Sequence, residues 1–463
     1  MGLAVFVGSF ALAAACNARQ QALPNMQLPV ANDLPLSSSS GDVWTTFAYD
    51  YRRTGFNRNV TDLTKSNVAE LKVRWKKNLG DKIYASPVTY AGNLIVATEG
   101  AWGGNPGSLV YDLNAADGRV LWKYAIPGRV KSTPAIDPDA GLVIVGDQAT
   151  QPYAFALRLL DGSLVWQTHV RGRITASPVV AGGVVYVGVA GGDPPSCTQG
   201  GISAITESTG EVLWTWSVDP NPRKGGSVWG AIGFDGANLI FGTGNTCEKP
   251  ITTANGAVSL KLNGEPAWSM VAVKDSHVDS DTGSGVMIFK EHAHFMNKNG
   301  RFYSVNKETG SIAWKDDLNP TSHVHNWSGG FATPTTDGTT IVEGSGFYKD
   351  AGPGDGEFCP LDTANPSEVQ TGFHSELHGM TLGGDVIWTR TMQNRIVGYV
   401  ALTGGMGFAG LNKEFVALDL TTGKTLWKHP AADYIAASMV LVPSGIYAAD
   451  EAGNVYAFGL PSR

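Results

Sequence analysis

A tryptophan returns at near-regular intervals along this 463-residue chain, each time behind the same short phrase. A small or apolar run is followed by Asp or Thr, then Gly, two or three further residues, and Trp. It reads AADGRVLW (ending at Trp122), LLDGSLVW (Trp166), ESTGEVLW (Trp214), KLNGEPAW (Trp268), KETGSIAW (Trp314), TLGGDVIW (Trp388) and LTTGKTLW (Trp427). LKVRW, ending at Trp75, is an opening copy without its turn. The steps between these tryptophans are 47, 44, 48, 54, 46, 74 and 39 residues. A period in this range marks a repeat architecture, which has to be recognised before any single residue is read.

A second signature follows most of these tryptophans: a Ser/Thr-Pro or small-residue pair, an apolar strand, a Gly turn and another apolar strand. ASPVTYAGNLIVAT, STPAIDPDAGLVIVG, ASPVVAGGVVYVG and AASMVLVPSGIYAAD are examples. Each unit therefore carries about four strands, which is one blade of a β-propeller. The Gly of the phrase supplies the positive φ that a tight hairpin needs, and the Trp is placed to pack between neighbouring blades. The expected fold is all-β: an eight-bladed propeller from about residue 70 to 460. The segment DVWTTFAYDYRRTGFNRNV (42–60) is placed to add a closing strand. The long step from Trp314 to Trp388 predicts an inserted loop at about 345–380. Composition agrees. Glycine is 58 of 463 residues and charged residues only 16%, against usual shares of ~7% and ~25%. A hydrophobic share of 43% with 13 Trp excludes a disordered chain. A net charge of −7 without basic clusters excludes a nucleic-acid partner.

Residues 1–16 read as a signal peptide: an apolar run too short to span a bilayer, closing on small residues before Cys16. Ala13-Ala14-Ala15-Cys16 resembles a bacterial lipoprotein signal and makes Cys16 the lipidation candidate. Residues 17–41 read as a flexible tether, so the propeller occupies 42–463. The expectation is an exported protein of the periplasm or cell envelope, attached to a membrane through a lipid anchor. Export implies an oxidising compartment in which Cys197, Cys247 and Cys359 are free to pair.

The Trp phrase and the count of eight resemble the pyrroloquinoline quinone (PQQ) dehydrogenase superfamily, in the style of polyvinyl-alcohol dehydrogenases. The same repeat also occurs in non-enzymatic envelope lipoproteins, so it implies the fold and leaves function to the loops. Four loops bear on function. GGSVWGAIGFDGANLIFGTGN (225–245) resembles the family segment whose Trp floors the quinone and whose Asn ligates calcium, which implies Trp229 and Asn245. VVYVGVAGGDPPSCTQGGISAI (184–205) resembles the stretch with a calcium-binding Glu; here the acid is Asp193, and Ala190 stands where methanol dehydrogenases have a cofactor-contacting Ser. DSHVDSDTGSGVMI (275–288) resembles the segment carrying the catalytic base, with Asp279 and Asp281 both eligible. NKNGRFYSVNKETG (297–310) resembles the strand whose basic residue contacts the quinone oxygens, here Lys298. The family's vicinal Cys-Cys pair is absent from the sequence, as is any CxxCH haem-attachment site. Electrons would leave to a separate acceptor such as a cytochrome.

These residue types suit the chemistry the resemblance implies. A Lewis acid on a quinone oxygen makes the adjacent carbon more electrophilic, and calcium takes carboxylate and amide oxygens such as those of Asp193 and Asn245. A carboxylate, Asp279 or Asp281, accepts the alcohol proton, Lys298 stabilises developing negative charge and Trp229 offers a flat face. Two nearby acids also suit a lanthanide. Each residue has a plainer reading as well: Asp193 before Pro-Pro as a turn residue, Asn245 as a left-handed turn residue, the two aspartates as solvated loop acids, Lys298 as a hairpin residue. Cys197 and Cys247 occupy matching loops of neighbouring repeats, where a disulfide would brace the metal site; two unrelated thiols are the alternative. The close histidine pairs 292/294, 323/325 and 374/378 lack a clearly spaced third ligand and read as strand-face or loop residues. Two functions follow as expectations: a quinoprotein dehydrogenase using PQQ and calcium on an alcohol, or a non-catalytic propeller lipoprotein that binds a partner protein.

Overall fold

The computed structural model describes residues 41–101, 107–191, 198–221, 225–244, 253–273, 281–318, 330–348, 373–392 and 396–461. They form eight antiparallel sheets, each with consecutive strands running from the channel to the rim. The blades span 88–126, 135–169, 179–217, 233–271, 287–317, 335–392 and 401–430; the eighth joins 440–459 to the early strand Lys72–Asn78. Helix is confined to one 3-10 turn, Val68–Glu70, among the described residues.

Inner strands such as Leu142–Gly146 are buried at every position because a neighbouring blade covers each face. Outer strands such as Leu164–His169 alternate in exposure. In every blade the outer pair shifts register immediately before the Trp, as between Leu164 and Trp166 or Val73 and Trp75. Such a bulge re-aims the next side chain. Here it turns the indole into the following blade, where seven of the eight Nε1 atoms donate to a backbone carbonyl at 2.5 to 3.2 Å. Truncating one such Trp to Ala would cost about 3–5 kcal/mol.

The turn glycine has a second duty beyond its positive φ. A Cβ at Gly118, Gly162, Gly210, Gly264, Gly310, Gly384 or Gly423 would lie 2.4 to 3.0 Å from the Trp ring of the preceding blade. The whole phrase is thus one joint: the Gly is the flat seat and the Trp of the previous blade sits on it.

The Ser/Thr-Pro signature marks the inner end of each joint. Ser86 N donates to Thr133 Oγ1 (3.1 Å), Thr133 N to Ser177 Oγ (3.2 Å), Gly285 N to Thr333 Oγ1 (3.0 Å), Tyr399 N to Ser438 Oγ (2.7 Å) and Ser438 N to Ser86 Oγ (2.9 Å). Each bond crosses from one blade to the next around the channel.

Closure differs from the sequence expectation in one respect. The strand that completes the eighth blade is Lys72–Asn78, which carries Trp75, not the segment 42–60. In that segment only Val43–Trp44 is a strand, and it pairs with the innermost strand of the first blade. The rest runs round the inside of the channel. Its carbonyls Thr45, Tyr51, Arg52, Thr54 and Gly55 accept the inner-strand amides of Ile136, Phe234, Ile288, Thr336 and Leu402, and Asn57 Nδ2 donates to Leu441 O. Inner strands would otherwise bury unpaired amides, so the segment acts as a girdle rather than a rim strand.

In the sixth blade two nine-residue strands, Thr340–Tyr348 and Phe373–Thr381, run in continuous register from Thr340↔Thr381 to Tyr348↔Phe373. The excess residues of this repeat, 349–372, therefore belong to the connection between its second and third strands.

Candidate active site

With four antiparallel strands per blade, the links between blades and the links between second and third strands fall on the same face. Trp229 and Asp281 lie in links between blades, after strands ending at Ser217 and Val271. Lys298 lies between the second and third strands of the fifth blade, after Met296. Three residues far apart in sequence are brought together there. Lys298 Nζ is 2.8 Å from Asp281 Oδ1, and both side chains are almost wholly buried, at 4% and 5% exposure. Trp229 Nε1 donates to Asp281 Oδ2 at 2.5 Å. The ammonium stands 4.8 Å from the Trp229 ring and 5.1 Å from that of Phe331, two rings whose centroids are 5.6 Å apart. Cation–π contact of this kind favours a partly desolvated ammonium.

The backbone fixes this group. Lys298 N donates to Asp281 O (3.0 Å), Thr282 N to Thr243 O (3.1 Å) and Gly244 N to Ser227 O (2.8 Å). Gly244 leaves little room for a side chain: a Cβ would lie 3.0 Å from Ser227 Cβ and 3.2 Å from Asp281 Cβ. Asp281 therefore packs against the residue that precedes Asn245. Gly191 N donates to Gly226 O at 3.0 Å, so the loop carrying Asp193 leaves the sheet three residues before Trp229, and Ala190 bridges to Ser227. Asp193, Cys197, Asn245, Cys247 and Asp279 themselves lie outside the described residues, as do Cys16 and Cys359. Among the described residues no group of three His, Cys, Asp or Glu side chains is placed to hold a metal ion. His292 and His294 have ring centroids 6.1 Å apart, with the His294 ring also stacked on Phe302.

Two features escaped the sequence reading. Phe331, next to the matching Ala-Thr-Pro of the sixth blade, completes the aromatic wall around Lys298. A second polar cluster occupies the same face at the first and eighth blades. There Glu99, at 2% side-chain exposure, is flanked by Lys82 (3.7 Å), Lys131 (3.5 Å) and Arg129. Glu451 pairs with Lys82 at 2.7 Å, and Lys131 Nζ stands 4.3 Å from the Tyr84 ring. The signal was available: Lys82 and Lys131 both precede the Ser-Pro or Thr-Pro pair of consecutive repeats, in KIYASP and KSTP.

Comparison with known proteins places this geometry in a class. A family model described as outer membrane protein assembly factor BamB matches residues 66–247. Among solved structures, quinohemoprotein alcohol dehydrogenase from Comamonas testosteroni superposes with a TM-score of 0.75 at 18% identity, covering 94% of this chain and 83% of that one. The chain has the all-β, eight-bladed propeller fold of that structure. A europium-containing methanol dehydrogenase matches this propeller with a TM-score of 0.73 at 15% identity over 91% of this chain and 99% of that one. BamB from Moraxella catarrhalis matches less closely, with a TM-score of 0.57 at 12% identity over 85% and 98%. No curated protein matches the chain in sequence.

Proposed function

We propose that this propeller is an exported quinoprotein dehydrogenase of the periplasm or cell envelope. It would oxidise an alcohol with PQQ and calcium, or a lanthanide, and pass electrons to a separate acceptor such as a cytochrome. One observation carries the reading: the Asp281–Lys298 pair, buried against Trp229 and Phe331 on the face where the loops converge. Removing two charges from water costs several kcal/mol per ion before pairing returns it. A scaffold gains nothing from that arrangement, whereas a site handling negative charge and protons uses both groups.

The residues present suit the cofactor. Trp229 supplies a ring of partial exposure, with Gly283 close against it; a Cβ there would lie 3.0 Å away. Lys298 supplies a cation at that ring. Lys82, Arg129 and Lys131 gather around Glu99 and Glu451 on the same face, cations that suit a ligand carrying carboxylates. Asp193 and Asn245 would hold the metal, and Asp279 or Asp281 would take the alcohol's hydroxyl proton. When bound, the quinone supplies a carbonyl carbon that accepts hydride and the metal supplies Lewis acidity. Lys298 then offsets the negative charge that develops.

A second reading, a non-catalytic lipoprotein scaffold, is favoured by the family model's description and by the fold likeness to BamB. Adding PQQ with calcium, or with a lanthanide, to the metal-stripped protein separates them. On the dehydrogenase reading, quinone absorbance co-elutes and an alcohol panel reduces an artificial dye, both lost in Trp229→Ala and Asn245→Ala. If the quinone binds with neither ion, the dehydrogenase reading fails and the scaffold stands.

A further inference from the structure

The girdle inside the channel carries a guanidinium whose charge has no counter-charge in contact. Arg53 is fully buried and takes a left-handed backbone, φ 62, a costly conformation for a residue with a Cβ. Its Nε donates to Ile232 O at 2.7 Å, and Nη1 to Thr46 Oγ1 and Phe47 O, both at 2.8 Å. Every one of these acceptors is neutral. Nη2 has no acceptor among the described residues. The nearest acid in sequence, Asp50, is spent on Thr54, whose N and Oγ1 donate to it at 3.0 and 2.7 Å.

Two more buried donors stand beside it without partners among the described residues: Trp44 Nε1 and Tyr399 OH. Their rings stack at 6.0 Å with an interplanar angle of 15°, and Phe47, whose carbonyl takes Nη1, packs edge-on to Tyr399 at 4.7 Å. The Tyr399 hydroxyl is faced by Trp44, the Ala48 amide and Ser86, and Arg53 lies close enough to act on its ionisation. None of these groups makes a hydrogen bond of good geometry to the hydroxyl. Guanidinium, indole and amide can only donate. A buried donor left unsatisfied costs roughly 1–3 kcal/mol, more when charged.

We propose that a monovalent anion of halide size binds in the channel between Arg53 and the Trp44–Tyr399 pair. A water molecule could give one hydrogen to the Tyr399 oxygen, the acceptor this group offers, but it would leave the guanidinium charge uncancelled. An anion accepts from every donor and cancels the buried charge. Its role is structural: it ties residues 44–53 of the girdle to Tyr399 at the entrance to the seventh blade. The site is independent of the quinone reading, since it involves none of Trp229, Asp281 or Lys298.

The test uses the full-length protein. Crystals grown in bromide are measured at the bromine absorption edge, and urea unfolding is followed in chloride, bromide or gluconate at constant ionic strength. The expected result is one anomalous peak between Arg53 and Tyr399. The unfolding midpoint should rise with chloride or bromide concentration and not with gluconate. Arg53→Gln should lose that response. If Arg53→Gln does not fold, Tyr399→Phe, which keeps the ring and removes one donor, should show a weaker response than the parent. Absence of an anomalous peak at this place overturns the proposal, whatever the unfolding curves show.

Discussion

Glu343 and His378 stand directly opposite each other on adjacent strands of the sixth blade, both almost fully buried and both driven toward their neutral forms. Burial raises the Glu343 carboxyl well above its usual range, with both oxygens unpartnered among the described residues. The same burial lowers His378 from 6.5 to about 4; Ser345 Oγ stands 3.2 Å from its Nε2 and Thr389 Oγ1 3.1 Å from its Nδ1.

The two shifts act on stability with opposite signs. For His378 the unfolded chain binds more protons between pH 6.5 and 4, so its contribution is complete above 6.5 and is lost as pH falls toward 4. The loss amounts to about 3 kcal/mol. For Glu343 the folded state holds the extra proton, so its contribution is present below 4.5 and is lost as pH rises above that value. His378→Gln should therefore flatten the acid limb of a urea-stability profile. Glu343→Gln should gain on the parent as pH rises and match it below pH 4.5. Parallel profiles for parent and variants would refute both assignments.

Lys298 and Asp281 are buried in the opposite manner, charged and paired. Breaking such a pair from one side leaves a buried charge and costs about 3–5 kcal/mol, while replacing both ends costs much less. Lys298→Met and Asp281→Asn should each destabilise by that amount in urea unfolding. The double variant should fall well short of the sum, with a coupling of about 1–3 kcal/mol. Additive losses would mean that the two groups do not sense each other in solution.

The legible part of this molecule was its repeat. The Trp phrase marks eight blades because bulge and indole recur at every interface, with a seat glycine at seven of them. The girdle was not legible: DVWTTFAYDYRRTGFNRNV has no strand alternation, and beyond Trp44 its backbone is paired by inner strands far along the chain, as Thr45 is by Ile136 and Gly55 by Leu402. The same holds for the site. Trp229, Lys298 and, as one of two eligible acids, Asp281 are legible through resemblance. Phe331 carries no motif of its own, and in the charge cluster around Glu99 the repeat places Lys82 and Lys131 at matching positions but not the acids they meet.

Gly162 and Gly141 separate the two duties of a turn glycine. Both have positive φ, 71 and 65, but a Cβ at 162 would lie 2.4 Å from Trp122 Cε3, while at 141 nothing lies within 4 Å. Gly141→Ala should cost only the left-handed penalty, ~1 kcal/mol. Gly162→Ala should add ~1–3 kcal/mol of overpacking against the indole. Equal losses in urea unfolding would remove the seat from the joint and leave only the turn.

The Ser/Thr-Pro signature makes the last prediction, because its hydroxyls are the acceptors for amides that have no other partner. Ser86 Oγ accepts from Ser438 N at 2.9 Å, and Thr133 Oγ1 from Ser86 N at 3.1 Å, at positions about 3% exposed. Ser86→Ala or Thr133→Val should each strand a buried N–H and cost roughly 1–3 kcal/mol. Thr133→Ser, which keeps the oxygen, should cost less than Thr133→Val. In hydrogen exchange the Ser438 amide should lose protection in Ser86→Ala, and the Ser86 amide in Thr133→Val. Unchanged protection would show that these hydroxyls merely fill space. The chain of hydroxyls is interrupted where Ala231, Gly285 and Tyr399 stand in its register; there Ala231 O accepts from Val286 N, Ile232 O from Arg53 Nε and Gly398 O from Thr333 N instead.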